Sequence, residues 1–197
     1  MLYKKRSQLE KLGYCKIENY FTKDLLYFLK PNSALTSLNA NIEYRDGDSV
    51  VVGDGKNKAL YASTISESLL IYLTPFYKNL TGKNLMPSYS YFRVYNEGYT
   101  LRPHKDRPSC QYSATICLDT DQNWVWPFFL KDKKSNIVKN LQQTSDIIFY
   151  KGMEVEHWRE SLEVKFSTHC FLHWVDGDDP NFQPYIFDGR ESIGHPR

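Results

Sequence analysis

The sequence predicts a mostly β fold with flanking helices, a sandwich or jelly-roll barrel, and three observations predict it. From about residue 86 onward, apolar side chains recur at period two in short runs divided by turn residues. Aromatic residues make up 15% of the 197-residue chain, and such side chains favour strands and the walls of small-molecule pockets. The first 85 residues instead show stretches of helical periodicity, as expected of helices packed on the outside of a β core.

In order, residues 4–12 read as a short amphipathic helix ended by Gly13, and Tyr14 to Asn19 as a strand. Thr22 can cap a helix that runs through Leu29 to a stop at Pro31. Residues 32–58 hold Asp46-Gly47-Asp48 and Gly53-Asp54-Gly55 around Ser49-Val50-Val51-Val52, and read as loops around one strand, a candidate lid over a site. Leu69, Leu70, Leu73, Phe76 and Tyr77 mark a second helix from Thr64 to Leu80, closed by Thr81-Gly82 and kinked or broken at Pro75. Strands then follow at 89–95, 99–106, 112–118, 126–130, 146–150, 155–158 and 166–175. The organisation expected is one domain over 1–197: a helical flank 1–85, a β core 86–175 and an irregular tail 176–197.

Lys and Arg number 25 against 23 acidic residues, a formal +2, which argues against a nucleic-acid partner. No window is apolar enough to span a membrane, and Met1 to Arg6 lacks the apolar core of a signal peptide, so the expectation is a cytoplasmic protein. Cys15, Cys110, Cys117 and Cys170 show no C-x-x-C spacing and read as buried small residues.

The chemistry concentrates in Leu101-Arg102-Pro103-His104-Lys105-Asp106-Arg107. In an extended chain His104 and Asp106 project to one side while Lys105 points away. An imidazole and a carboxylate then converge, two thirds of the 2-His-1-carboxylate set that holds non-haem Fe(II) with open positions. H-x-D alone is a common pattern, and a polar loop would also produce it. His157, just past the Lys151-Gly152 turn, can supply the third ligand, or can be a surface residue beside Glu154 and Glu156. Lys165 and Ser167, at the start of the last strand, share a face and can jointly hold a carboxylate. His169 and His173 follow on the same alternation, as packing histidines or as contacts to a ligand.

The order H-x-D, distal His, then a basic residue with a hydroxyl two later resembles the Fe(II)/2-oxoglutarate-dependent dioxygenases, in particular their small prolyl-hydroxylase-like branch. Gly13 to Phe21, Tyr89 to Tyr95 and Asp146 to Tyr150 resemble the same branch, so the similarity spans about residues 13–175. The resemblance implies a double-stranded β-helix, cupin-like core, with Fe(II) on His104, Asp106 and His157. It implies 2-oxoglutarate chelating the metal, its far carboxylate on Lys165 and Ser167, Tyr91 near it, and ascorbate as a supporting reductant. Arg159 and Arg107 are rival anchors, because many relatives carry arginine where Lys165 stands. The implied reaction is hydroxylation of an unactivated C–H, releasing succinate and CO2. Asp106, where a halogenase would carry Gly or Ala, leaves no position for chloride. The expected substrate is a small molecule, an amino acid or related metabolite, or else a peptidyl residue. A cupin-like metal- or carbohydrate-binding jelly roll without oxygenase activity, or an oxygenase acting on nucleobases, are the alternatives.

Overall fold

The computed structural model describes residues 2–43, 51–52 and 57–195. Helix α1 (Leu2–Leu12) leads into β1 (Tyr14–Ile17) and then α2 (Lys23–Asn39), whose N-cap Thr22 accepts a hydrogen bond from the Leu25 amide. α2 does not stop at Pro31. The carbonyl that proline leaves without a donor belongs to Tyr27, one turn earlier, and both residues are exposed, so water can satisfy it. The first third of the expected 32–58 loop is therefore helix. β2 (Asn41–Glu43), β3 (Val51–Val52) and β4 (Asn57–Tyr61) follow, while both Asp/Gly-rich tips of the expected lid lie outside the described residues.

α3 (Thr64–Thr81) runs through Pro75 as one helix, for the same reason: Ile71, whose carbonyl loses its donor, and Pro75 both face solvent. Gly82 closes α3 at φ 71°, the left-handed region where glycine carries no Cβ penalty. The β core comprises β5 (Leu85–Asn96), β6 (Thr100–His104), β7 (Tyr112–Thr120), β8 (Phe128–Lys131), β9 (Ile137–Asn140), β10 (Ile147–Tyr150), β11 (Glu156–Arg159) and β12 (Phe166–Asp176). β9 was not expected from the sequence: with Ile137 69% exposed, it shows little of the half-buried alternation that betrays a strand. The tail after β12 is mostly irregular, with a short 3-10 segment at Gln183–Gly189.

All described pairings are antiparallel. A seven-stranded sheet in the order β1-β10-β7-β12-β5-β4-β2 faces a five-stranded sheet in the order β3-β6-β11-β8-β9. This is the double-stranded β-helix with flanking helices that the sequence predicts. Alternation divides β5, β7, β10 and β12 of the larger sheet between two environments. On one face Phe92, Ile116, Phe149, Leu172 and Trp174 join Leu69, Leu70, Leu73 and Tyr77 of α3 in the main hydrophobic core. On the other, Tyr91, Arg93, Tyr95, Tyr150, Phe171 and His173 line a cavity inside the barrel. The helices thus leave the smaller sheet and the barrel interior to build the site.

Candidate metal centre

β6 and β11 are neighbours in the smaller sheet, and their register sets His104 directly opposite His157. The strand ends at His104, so Asp106 lies just beyond it, held by its amide donating to the Gly152 carbonyl at 2.9 Å. Asp106 Oδ1 stands 3.6 Å from His104 Nε2 and 3.5 Å from His157 Nε2, and the two imidazole centroids are 4.3 Å apart.

Ring orientation is fixed by the backbone. His104 Nδ1 lies 2.7 Å from the Arg102 carbonyl and His157 Nδ1 3.1 Å from that of Val155. A carbonyl only accepts, so each Nδ1 carries the proton and each Nε2 turns a lone pair towards Asp106. Burial and the neighbouring His157 hold the His104 pKa below its ordinary value, favouring the neutral ring that ligates metal. Burial would raise the Asp106 carboxyl, but His157, His173 and His104 outweigh it and hold it at about 2. Two imidazoles and one carboxylate, ligand atoms within 4.8 Å of one another, fit one divalent cation. Donors that share a metal through bonds of about 2.1 Å stand roughly 3 Å apart, close to the 3.6 and 3.5 Å that separate Asp106 Oδ1 from the two rings.

Asp106, Cys110 and His173 also lie together. Two of their atoms have other partners: His173 Nδ1 meets Ser113 Oγ at 2.9 Å, and Cys110 Sγ the Tyr89 hydroxyl at 3.1 Å. Burial keeps the Cys110 thiol well above its ordinary pKa, far from the thiolate a metal would need.

The cavity beside the triad holds about 300 Å³ and is walled by Tyr61, Tyr89, Tyr91, Tyr95 and Phe171. The expected Tyr91 is there, its hydroxyl 3.4 Å from Arg93 Nη2. Lys165 is not: it sits in the bend before β12, exposed and outside the cavity lining. Ser167, two residues on, is fully buried, its Oγ 2.8 Å from His169 Nε2, and His169 Nδ1 accepts from Arg159 Nη2 at 3.4 Å. Arg107 lies at the rim over the Tyr89 ring, ion-paired to Asp188 at 3.1 Å.

Arg159 is the unusual residue of the interior, and like Lys165 and Ser167 it is not among the residues that line the cavity. It follows His157 by two on β11, is 1% exposed, and lies over the rings of Trp126 and Phe128. Its guanidinium donates to the Trp126 carbonyl at 2.6 Å and to Gln142 Oε1 at 3.1 Å, while its Nε meets no partner among the described residues. No carboxylate pairs with it among the described residues, and burial brings its pKa down to about 10. Its charge and burial also push His169 well below its ordinary value, so that imidazole is neutral.

Sequence reasoning missed Arg93, Ser113, Gly152 and Asp188. In the sequence Gly152 reads only as a turn, and Asp188 lies in the irregular tail. Trp158 stacks on Phe129 outside the cavity, and Trp126 and Trp174 are packing residues in two different cores.

No family model matches the chain, and no curated protein matches it. Solved structures do. A prolyl-4-hydroxylase from Pseudomonas putida aligns over 88% of this chain and 98% of its own, at 13% identity and a TM-score of 0.66. A 2OG-Fe(II) oxygenase-family oxidoreductase from Burkholderia pseudomallei aligns over 92% and 93%, at 12% identity and a TM-score of 0.68. The non-haem α-ketoglutarate-dependent epimerase SnoN of nogalamycin biosynthesis aligns over 89% and 83%, at 13% identity and a TM-score of 0.64. At such identities the likeness establishes the fold, and the reaction has to be argued from the residues.

Proposed function

We propose that this chain is an Fe(II)- and 2-oxoglutarate-dependent dioxygenase that hydroxylates an unactivated C–H of a small molecule. The observation that carries the reading is the convergence of His104 Nε2, His157 Nε2 and Asp106 Oδ1, with both Nδ1 atoms committed to backbone carbonyls. Iron with 2-oxoglutarate would supply the oxidising step, with succinate and CO2 as by-products. The protein's part is to hold three ligands on one side, orient two reactants and exclude water.

For the far carboxylate of 2-oxoglutarate the reading favours Arg159 over Lys165. A buried guanidinium without a carboxylate partner is costly until an anion joins it. Residues two apart on a strand are separated by about 6.6 Å, comparable to the length of a five-carbon diacid reaching from metal to anchor. Ser167 belongs to the same arrangement through His169, which orients the guanidinium. Tyr91, Tyr95 and Phe171 would wall the substrate space. A cavity of about 300 Å³ lies at the small end of ligand pockets, which supports a free metabolite over a peptidyl residue. The four cysteines, all free and buried, accord with a reducing, cytoplasmic compartment.

Succinate formation from 2-oxoglutarate with Fe(II) and ascorbate tests the reading. Slow turnover is expected without added substrate, absent in His104→Ala, demanding far more 2-oxoglutarate in Arg159→Met, and unchanged in Lys165→Ala. Loss of 2-oxoglutarate affinity in Lys165→Ala alone would return the anchor to the strand start. A protein that binds neither iron nor 2-oxoglutarate would be a binding jelly roll instead.

A further inference from the structure

The Asp106 carboxylate presents its two oxygens to different surroundings. Oδ1 faces both imidazoles, whereas Oδ2 accepts a hydrogen bond from Ser113 Oγ at 3.2 Å. Ser113 is fully buried on β7, in the larger sheet, and its hydroxyl has one proton to give. That proton goes to the carboxylate, a stronger acceptor than the Cys110 carbonyl 3.3 Å away. Ser113 Oγ in turn lies 2.9 Å from His173 Nδ1, so the imidazole must donate there. The chain of donors therefore runs His173 to Ser113 to Asp106, across β12, β7 and the end of β6. His173 is itself clamped, stacked on the Tyr89 ring at 4.5 Å, with the Arg107 guanidinium on that ring as well. On the remaining side the backbone closes in: a Cβ at Gly152 would overlap Asp106 Oδ2.

We propose that Ser113 and His173 are positioning residues that hold Asp106 as a one-oxygen metal ligand. The inference rests on the metal site proposed above. A carboxylate free to rotate could bind through both oxygens and take a coordination position that the cosubstrate or oxygen needs. With Oδ2 committed to Ser113 and walled by Gly152, only Oδ1 is offered, and the position stays open. Partners of this kind, which touch the ligand and never the metal, typically change metal affinity by about 10- to 100-fold.

Cobalt(II) is the probe, because its visible absorption reports coordination number without turnover. The full-length protein and its Ser113→Ala, His173→Ala, His173→Asn and His104→Ala variants are titrated with Co(II), with thermal melting of each as a control. Asn is informative because its amide nitrogen occupies the place of Nδ1 and can still donate to Ser113. Ser113→Ala and His173→Ala are expected to bind Co(II) about 10- to 100-fold more weakly and with altered absorption, while His173→Asn keeps the wild-type spectrum. Wild-type affinity and absorption in Ser113→Ala and His173→Ala would overturn the inference and leave the metal site standing. So would loss in all three variants that merely follows their melting temperatures. Wild-type protein that binds Co(II) no better than His104→Ala would remove the metal site itself, and the positioning role with it.

Discussion

At Gly152 a hydrogen in place of a methyl group decides whether the Asp106 carboxylate can stay where it is. A Cβ there would overlap Asp106 Oδ2 and the Cys110 carbonyl and press on Ser113 Oγ, none of which is the free end of a flexible side chain. Gly152→Ala is therefore expected to cost about 1–3 kcal/mol in denaturant unfolding and to weaken metal binding. An alanine variant with unchanged unfolding and Co(II) affinity would mean the 151–155 turn gives way easily. Residues of this kind are hidden from sequence: H-x-D and His157 are legible because ligand type and spacing are chemical signals, whereas Gly152 matters through a contact 46 positions away in the chain. Lys165 illustrates the opposite difficulty. Its spacing to Ser167 suggests a shared inward face, but β12 begins only at Phe166, so the lysine is left in the bend outside.

β12 carries two buried histidines on its inner face, and they make the strand acid-sensitive. Burial sets His173 at about 4, and burial with the Arg159 charge sets His169 well below its ordinary value. In both, the folded-state pKa is below the unfolded one, so the unfolded chain binds more protons in this range. Their stabilisation is present above pH about 6.5 and is lost as the pH falls towards 4, on the order of 3 kcal/mol for His173. Asp106, held at about 2, adds a further loss only at still lower pH, below its unfolded value of 3.8. Urea unfolding of the metal-free protein should show stability falling between pH 7 and 5, with a shallower slope in His173→Asn; a flat wild-type profile would contradict the neutral-histidine assignment. In α2, Pro31 lies inside an unbroken helix and leaves the Tyr27 carbonyl without its helical donor, and Pro31→Ala is expected to add up to about 3 kcal/mol of stability. A decrease would show that the proline matters through the unfolded chain. Sequence placed both proline-bearing helices yet ended α2 at Pro31, because exposure of the orphaned carbonyl is a tertiary fact.

Across the whole molecule, two sheets divide the labour. The larger is anchored by the helices on its outer face and contributes the inner wall, Ser113 and His173; the smaller contributes both imidazoles and Arg159. The barrel was legible because period-two patterning survives wherever one strand face meets the core and the other the interior. β9 was not, since its outward residues meet water, and neither was the tail, where Asp188 reaches back to Tyr61, Arg107 and Ser109 through contacts about 80 or more residues distant. β11 carries both His157 of the metal triad and, two residues on, Arg159, the proposed anion anchor. Anaerobic titration of the Fe(II)-loaded protein with 2-oxoglutarate, followed by the visible charge-transfer band of an iron–2-oxoacid chelate, tests that pairing of metal site and anchor most directly. The band should grow to saturation in wild type, be absent in His104→Ala, and need at least about tenfold more 2-oxoglutarate in Arg159→Met, the least expected for a lost charge-assisted contact. An Fe(II)-loaded wild-type protein that never develops the band, or an Arg159→Met variant that saturates like wild type, would contradict it.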